Sequence, residues 1–451
     1  MNRFLRITVV LVLYAAIASG CATVSTSPRA RHSRGPITEW RLNNGLTVIV
    51  EERRHAPVSA VALWLRIGSC QDSDSLAGIA HFMEHMFFKG TENLPVGEVD
   101  RRIESMGGSW NGATSYDFTE YYVVVGDEHV DSVMAILSEV AQHSSFAPIE
   151  VEHERMVVME EIRMNIDDPW EQVWDLFMSA AFTRHPYRRP ILGTMETVKG
   201  MTRDDLLTRS RCAYAPANLY LVVVGNVDRQ AVLDRAEEHF GSEDWGSRAP
   251  LPPAGEESAL KETRRVRITR PLDHAYMMLG FRSPRARDRS SVAADVLAAI
   301  LGRGRSSRLV KVLKEERGIV SEISASNLSM RDAGILYIEA ECDGDRVDDV
   351  EEAILKVIGG LVREGVSPRE VARARAMLRA QNIFERETVE GEADFLGYSA
   401  VTTGLVGGLT YLENIDRVSA RDVNRVARRY LRGGHALAVV SPEPVPAEGV
   451  Q

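Results

Sequence analysis

Cysteine is scarce in this chain. Cys21, Cys70, Cys212 and Cys342 are the four cysteines in 451 residues, and no two have C-x-x-C spacing. That excludes a disulfide framework and a thiolate zinc ribbon. The three downstream cysteines are far apart and odd in number, a pattern expected of buried free thiols, although pairing of two of them stays open. An excess of positive charge is also missing. Lys and Arg total 54 against 64 Asp and Glu, a formal net charge of −10, so the basic footprint of a nucleic-acid binder is absent. The apolar run from Ile7 to Ala18 is too short for a comfortable membrane span. The remaining composition, 44% apolar and 26% charged, is that of a globular protein, and the length calls for two domains.

With Arg3 and Arg6 before it, the run Ile7–Ala18 has the shape of a secretory signal peptide. It ends Ala18-Ser19-Gly20-Cys21, similar to a bacterial lipobox with Ala18 in place of the usual leucine. Residues 1–20 are therefore read as a lipoprotein-type signal peptide, with Cys21 as the lipidated residue. The alternative is an ordinary signal peptide with a free Cys21. Residues 21–36 read as a polar tether with too few apolar side chains to fold. Ala22 after the cysteine favours an outer-membrane anchor facing the periplasm.

Secondary-structure signals are dense after that. Asn43-Asn44-Gly45 predicts a hairpin turn within 37–52. Val58–Ile67 predicts a strongly apolar strand. Strands are expected near 109–115, 119–125 and 219–224, and helices near 97–106, 129–142, 148–166, 170–181 and 202–212. Pro, Gly and charge mark 242–262 as a linker. The second half repeats the order of elements, and Asp205–Tyr214 with Leu221–Val224 echoes Asp422–Tyr430 with Leu437–Val440. The predicted class is α+β with mainly antiparallel sheets, in two domains at 37–241 and 263–445.

One stretch carries chemistry: His81-Phe82-Met83-Glu84-His85. On a helix, His81 and His85 share a face, so both imidazoles can reach one metal ion. Glu84 sits beside that point, where a carboxylate can take a proton from water. The apolar flanks, Gly78-Ile79-Ala80 and Met86-Phe87-Phe88, predict a buried helix, in which two His and one Glu are costly without partners.

The run Gly78–Thr91 closely resembles the zinc helix of the insulinase/pitrilysin family, nearest to its short members, such as the mitochondrial processing peptidase and its bacterial relatives. The resemblance runs from about Trp40 to about Val440. It implies two similar domains from an ancient duplication, with one Zn2+ in the first, and metalloendopeptidase activity on unfolded or short polypeptides. The family's spacing places the third ligand at Glu161, favoured over its neighbour Glu160, and matches Glu154 to a carboxylate that orients a ligand histidine. A solvated first-turn acid is the plain alternative for Glu154. Ser109–Ser115 resembles the edge strand that pairs with substrate, where Asn111 is the substrate-binding candidate and a bulge residue the plain alternative. The rival function is a non-catalytic assembly subunit of the same fold.

The resemblance also implies a partner. Short members pair, and an Arg and a Tyr seven residues apart face the zinc from the other half. Here those positions hold Lys314 and Ser321. Lysine lacks the guanidinium fork and serine lacks the phenol. The expectation is a heterodimer with a homologous chain that supplies the Arg/Tyr pair, otherwise a homodimer. Arg317 from a shifted register is the alternative donor.

Overall fold

The computed structural model describes residues 29–242, 245, 257 and 260–443. The signal-peptide region and Cys21 lie outside the described residues, as does most of the 242–262 linker. Among the described residues no helix is long and apolar enough to cross a membrane.

The first sheet has seven strands in the order β1-β2-β3-β7-β4-β6-β5. They are β1 (Arg29–Arg34), β2 (Ile37–Arg41), β3 (Thr47–Glu52), β4 (Val58–Leu65), β5 (Ser109–Thr114), β6 (Thr119–Gly126) and β7 (Leu219–Gly225). The hairpin at Asn43–Gly45 forms as expected, with Leu42 and Leu46 joined across it. β1 corrects the tether: residues 29–34 pair antiparallel with β2. Backbone hydrogen bonds to an existing strand do not need apolar side chains, so composition gave no signal for it.

The longer helices of this half are α1 (Ile79–Met86), α2 (Glu98–Ser105), α3 (Val130–His143), α4 (Pro148–Asp167), α5 (Pro169–Ala181), α6 (Arg203–Ala213) and α7 (Arg229–Phe240). Of these, α7 is not among the expected elements; it packs Phe240 against Trp245 inside the first core.

The second sheet has five strands in the order β10-β11-β9-β12-β8. They are β8 (Arg264–Arg270), β9 (Ala275–Ser283), β10 (Glu322–Ser329), β11 (Gly334–Cys342) and β12 (Ala436–Pro442). Its longer helices are α8 (Ser291–Gly302), α9 (Val347–Glu364), α10 (Pro368–Glu385), α11 (Val389–Thr402) and α12 (Ala420–Tyr430). Residues Val310–Glu316 form a π-helix. Omitting β1 and β2, the two sheets have one topology. β7 runs parallel to β3 and antiparallel to β4, and β12 runs parallel to β8 and antiparallel to β9. The duplication is thus visible in strand pairing as well as in the sequence echo.

The continuous apolar run of β4 has a direct cause. Val61, Leu63 and Leu65 face the first domain's own core. Ala60, Ala62 and Trp64 face α11, which crosses over from the second domain. A strand covered on both faces has no polar side to alternate with. The exchange is reciprocal, because Phe177 of α5 packs on the second sheet with Ala436, Ala438 and Val440. Even the close contacts mirror each other. A Cβ on Gly397 of α11 would stand 2.1 Å from Trp64 Nε1, and one on Gly280 of β9 would stand 2.5 Å from Phe177 Cζ. One interface sets a strand tryptophan on a helix glycine; the other sets a helix phenylalanine on a strand glycine. Cys70 and Cys342 are buried and Cys212 is half-buried, and among the described residues none of the three forms a disulfide.

Candidate metal centre

α1 begins at Gly78, whose φ of 94° is left-handed. A Cβ there would stand 2.3 Å from the carbonyl oxygen of Leu192, so glycine is required on both counts. Gly193 answers from the other side, where a Cβ would stand 2.1 Å from the Ala77 oxygen. The loop around Pro190–Gly193 is therefore a structural clamp on the start of α1. Buried Asp72 accepts the first-turn N–H groups of Gly78 and Ala80 at 3.2 and 3.4 Å. Burial raises its pKa to about 6, and Arg209 opposes that rise. Asp72 carried no recognisable sequence signal.

α4 lies against α1. Arg155 fixes it there, donating to the Val198 carbonyl and standing 5.5 Å over the Phe82 ring. The contact brings Glu161 to the two histidines. Glu161 Oε2 is 3.2 Å from His85 Nε2 and 3.5 Å from His81 Nε2. Donor atoms of His81, His85 and Glu161 all lie within 4.8 Å of one another. Ligands at zinc distances of 2.0–2.2 Å in a tetrahedron stand about 3.3 Å apart, so the two Glu161–histidine separations suit a shared zinc ion, and three ligands leave a fourth position. Glu160 points outward, exposed and paired with Arg163 at 2.6 Å.

The electrostatics suit a cation. Burial holds His81 down at about 4, in the neutral form a metal ligand needs. Its Nδ1 is buried without a hydrogen-bond partner. Burial also pulls on His85, but hydrogen bonds to Glu154 and Glu161 outweigh it and raise its pKa to about 9. Two carboxylates thus call for positive charge at His85, which a proton or a metal ion can satisfy. Glu154 is not a solvated acid. It is buried, 3.2 Å from His85 Nδ1 and 2.7 Å from Lys89 Nζ. That is the geometry of a group that orients an imidazole.

Glu84 points toward β5. Thr114 Oγ1 donates to Glu84 Oε2 at 2.6 Å. A Cβ on Gly112 would stand 3.2 Å from Glu84 Cγ. Burial raises the Glu84 pKa, against the Thr114 hydrogen bond and the charge of His85. Trp110 stacks on Phe88, with ring centres 3.8 Å apart. Trp110, Gly112 and Thr114 therefore face α1. Asn111 lies on the other face, exposed, opposite Tyr122 in the strand register; its Oδ1 accepts the Gly112 N–H. The strand residue that reaches Glu84 is Thr114, which the sequence did not single out. Strand alternation alone separates the two.

Comparisons with known proteins identify the family. A model of the insulinase family (peptidase family M16) matches residues 47–195, and one of the peptidase M16 inactive domain matches 200–378. A Mycobacterium leprae protein named an uncharacterized zinc protease is 31% identical, over 92% of this chain and 93% of its own. A Bacillus subtilis protein of the same description is 28% identical, over 90% and 98%. The crystal structure of a protease from Helicobacter pylori shares the fold with a TM-score of 0.85, at 24% identity, covering 92% of this chain and all of that one. Family models covering both domains, with relatives named zinc proteases along nearly the whole length, establish that this chain belongs to the insulinase family, peptidase family M16.

Proposed function

We propose that the protein is a zinc metalloendopeptidase that cleaves unfolded or short polypeptides outside the cytoplasm. The observation that carries this reading is the convergence of His81, His85 and Glu161 beside a half-buried Glu84. His81, His85 and Glu161 would hold one ion per chain, with Glu154 orienting His85. When bound, zinc supplies a Lewis acid that polarises a carbonyl and makes water more acidic. Glu84 takes the proton from the attacking water and returns it to the leaving amine. Thr114 keeps the receiving oxygen aimed. Among the described residues β5 is paired only with β6, so its outer edge can add an extended peptide as a further strand. Asn111 is exposed on that edge for a bound chain.

The expected result is chelator-sensitive cleavage of an unstructured peptide, with Glu84→Gln retaining metal and losing turnover. Near wild-type cleavage by Glu84→Gln would overturn the reading. Export rests on Arg3, Arg6, the short apolar run and Cys21; the mature chain should fractionate with membranes, and Cys21→Ser should release it. We also propose that the working unit contains a homologous partner chain. Lys314 in place of the expected Arg and Ser321 in place of the expected Tyr favour a different chain that brings that pair, with a second copy as the alternative.

A further inference from the structure

The duplication lets the metal centre be followed into the second domain. In the first domain α1, α4 and β5 frame it, and their counterparts are α8, α10 and β10. Lys89-Gly90 after α1 and Arg303-Gly304 after α8 both turn on a glycine of left-handed φ, 92° and 79°. Phe88 packs on Trp110. At the matching place Gly302 lies against Ala325, where a Cβ would stand 2.0 Å from the Ala325 nitrogen. Counted from these anchors, His81 corresponds to Asp295, Glu84 to Ala298, His85 to Ala299 and Gly112 to Asn327. Two alanines thus replace two long polar side chains. The space opens into a cavity of about 1380 Å3 whose wall includes Asp295, Ala298, Ala299 and Asn327.

The cavity holds a charge without a counter-ion. Asp295 accepts hydrogen bonds from Asn327 Nδ2 at 2.7 Å and from the Tyr411 hydroxyl at 2.9 Å, both neutral donors. Burial raises its pKa to about 6, and those two bonds oppose the rise, so at neutral pH most of it is ionised. The wall contains no lysine or histidine, and its six arginines do not supply the missing cation. Arg386 binds Glu392, Arg425 binds Asp422, Arg303 donates to Gln381 and Arg287 to the Thr402 carbonyl. Arg289 and Arg417 are exposed. Asp394, one turn before Tyr398 on α11, is a second carboxylate of the wall; burial and the charges of Glu385 and Glu390 raise its pKa to about 6.

The rest of the wall offers rings and unused acceptors. Phe395, Tyr398 and Tyr411 line it. Asn327 Oδ1 and Asn382 Oδ1 are buried without a hydrogen-bond partner, and Asn382 is only 8% exposed. The Asn327 amide is held in this orientation, because its Nδ2 serves both Asp295 and Ser329 Oγ.

We propose that this cavity binds a small organic ammonium compound, with its N–H groups on Asp295 and its body against the tyrosines. A carboxylate has about four acceptor positions, and Asp295 has used two. Aromatic faces attract a cation, and unused amide oxygens call for N–H donors. A bare metal ion suits the wall less well. A hard cation takes six or more oxygens, and among the described residues the ligand group that comes together is His81, His85 and Glu161. A neutral polyol would leave the carboxylate's charge unpaired. The inference stands apart from the proposed peptidase activity, since none of these residues belongs to the metal centre.

Calorimetric titration of the zinc-loaded mature chain with 1,4-diaminobutane and with 1,4-butanediol is the test. The diamine should bind one per chain with a dissociation constant of about 1 mM or below, within reach of a ligand of this size. The diol, of the same length without charge, should bind about tenfold more weakly or worse. Asp295→Asn keeps the shape, removes the charge and should weaken diamine binding about tenfold or more. Ala299→Leu fills the space without touching Asp295 and should also block the diamine, which keeps the inference testable if Asp295→Asn fails to fold. Metal-stripped protein should bind the diamine as the loaded protein does. No saturable binding of the diamine, equal binding of diamine and diol, or folded variants that bind like wild type would overturn the proposal. Diamine binding that disappears with the metal would overturn it too, and would assign the amine to the first domain.

Discussion

The two domains share a topology and differ in what their equivalent helices carry into the cleft. In the first, α4 brings Glu154 and Glu161 against the histidines of α1. Counted from the helix-opening prolines, the matching residues of α10 are Ala374 and Gln381. Ala374 is fully buried in the second core, so no carboxylate stands where Glu154 orients an imidazole. Gln381 accepts a hydrogen bond from Arg303, at the end of α8, and α8 contains no histidine. Where the first domain gathers candidate metal ligands, the second has a cavity of about 1380 Å3, with Arg303, Asn327 and Gln381 in its wall. The fold tolerates either content because strand pairing and the exchanged helices α5 and α11 hold it together, without help from the centre. Stability and chemistry are carried by different residues, so one copy could keep the architecture after its ligand set was gone, or before it arose.

This contrast can be broken by substitution. The largest effect is expected at Glu161. Glu161→Gln should lose most bound zinc and lower peptide cleavage by a factor on the order of 100 or more, because a neutral amide replaces an anionic ligand. Glu160→Gln, one position away and exposed, should change neither, and Gln381→Glu should add no second zinc. Metal analysis of the three variants checks this; zinc lost from Glu160→Gln in place of Glu161→Gln would exchange the two assignments. Next is Glu154→Ala, which makes the first domain resemble the second at that position. It should weaken zinc binding about 10- to 100-fold, the usual cost of removing a group that orients a ligand, read by competition with a chelator. Thr114→Val should retain zinc and lower kcat by several-fold to about tenfold, the loss of one hydrogen bond of about 1 kcal/mol to the acid–base group. A fall in zinc content would instead make Thr114 part of the metal site's support.

The last effect is on stability rather than catalysis and concerns the junction of the domains. Glu392 of α11, fully buried, is bound by Arg53 and Arg386. Burial raises the nearby Glu51 to about 7, helped by the charge of Glu392 and opposed by Arg53. A folded-state pKa above the unfolded value stabilises fully below the unfolded pKa, and that contribution is lost as pH rises through the folded one. Wild type should therefore lose on the order of 1–3 kcal/mol of stability between about pH 4.5 and 7.5 through Glu51. Glu51→Gln should lack that slope in thermal melts. An unchanged slope would place the titration elsewhere.

Much of this was legible in the sequence. H-x-x-E-H specifies its own geometry on a helix, and the acidic helix after Pro148 announces a carboxylate at the right distance along the chain. Most strand and helix positions of the first half followed from periodicity, α7 and β1 excepted. Three things were not legible, each for a physical reason. Asp72 and Thr114 act through contacts between elements distant in sequence, and a lone Asp or Thr has no pattern. The reciprocal crossing of α5 and α11 leaves its trace only as apolar runs in β4 and β12, which a buried strand of any origin would show. β1 forms by backbone pairing, which composition does not encode.

The central claim is that one centre, in the first domain alone, holds the ion that the hydrolysis requires. Adding zinc back to metal-stripped protein while following cleavage of an unstructured peptide tests it directly. Activity should rise from nothing and level off at one zinc per chain. No activity at any zinc level, or a rise that continues to two per chain, would contradict the account.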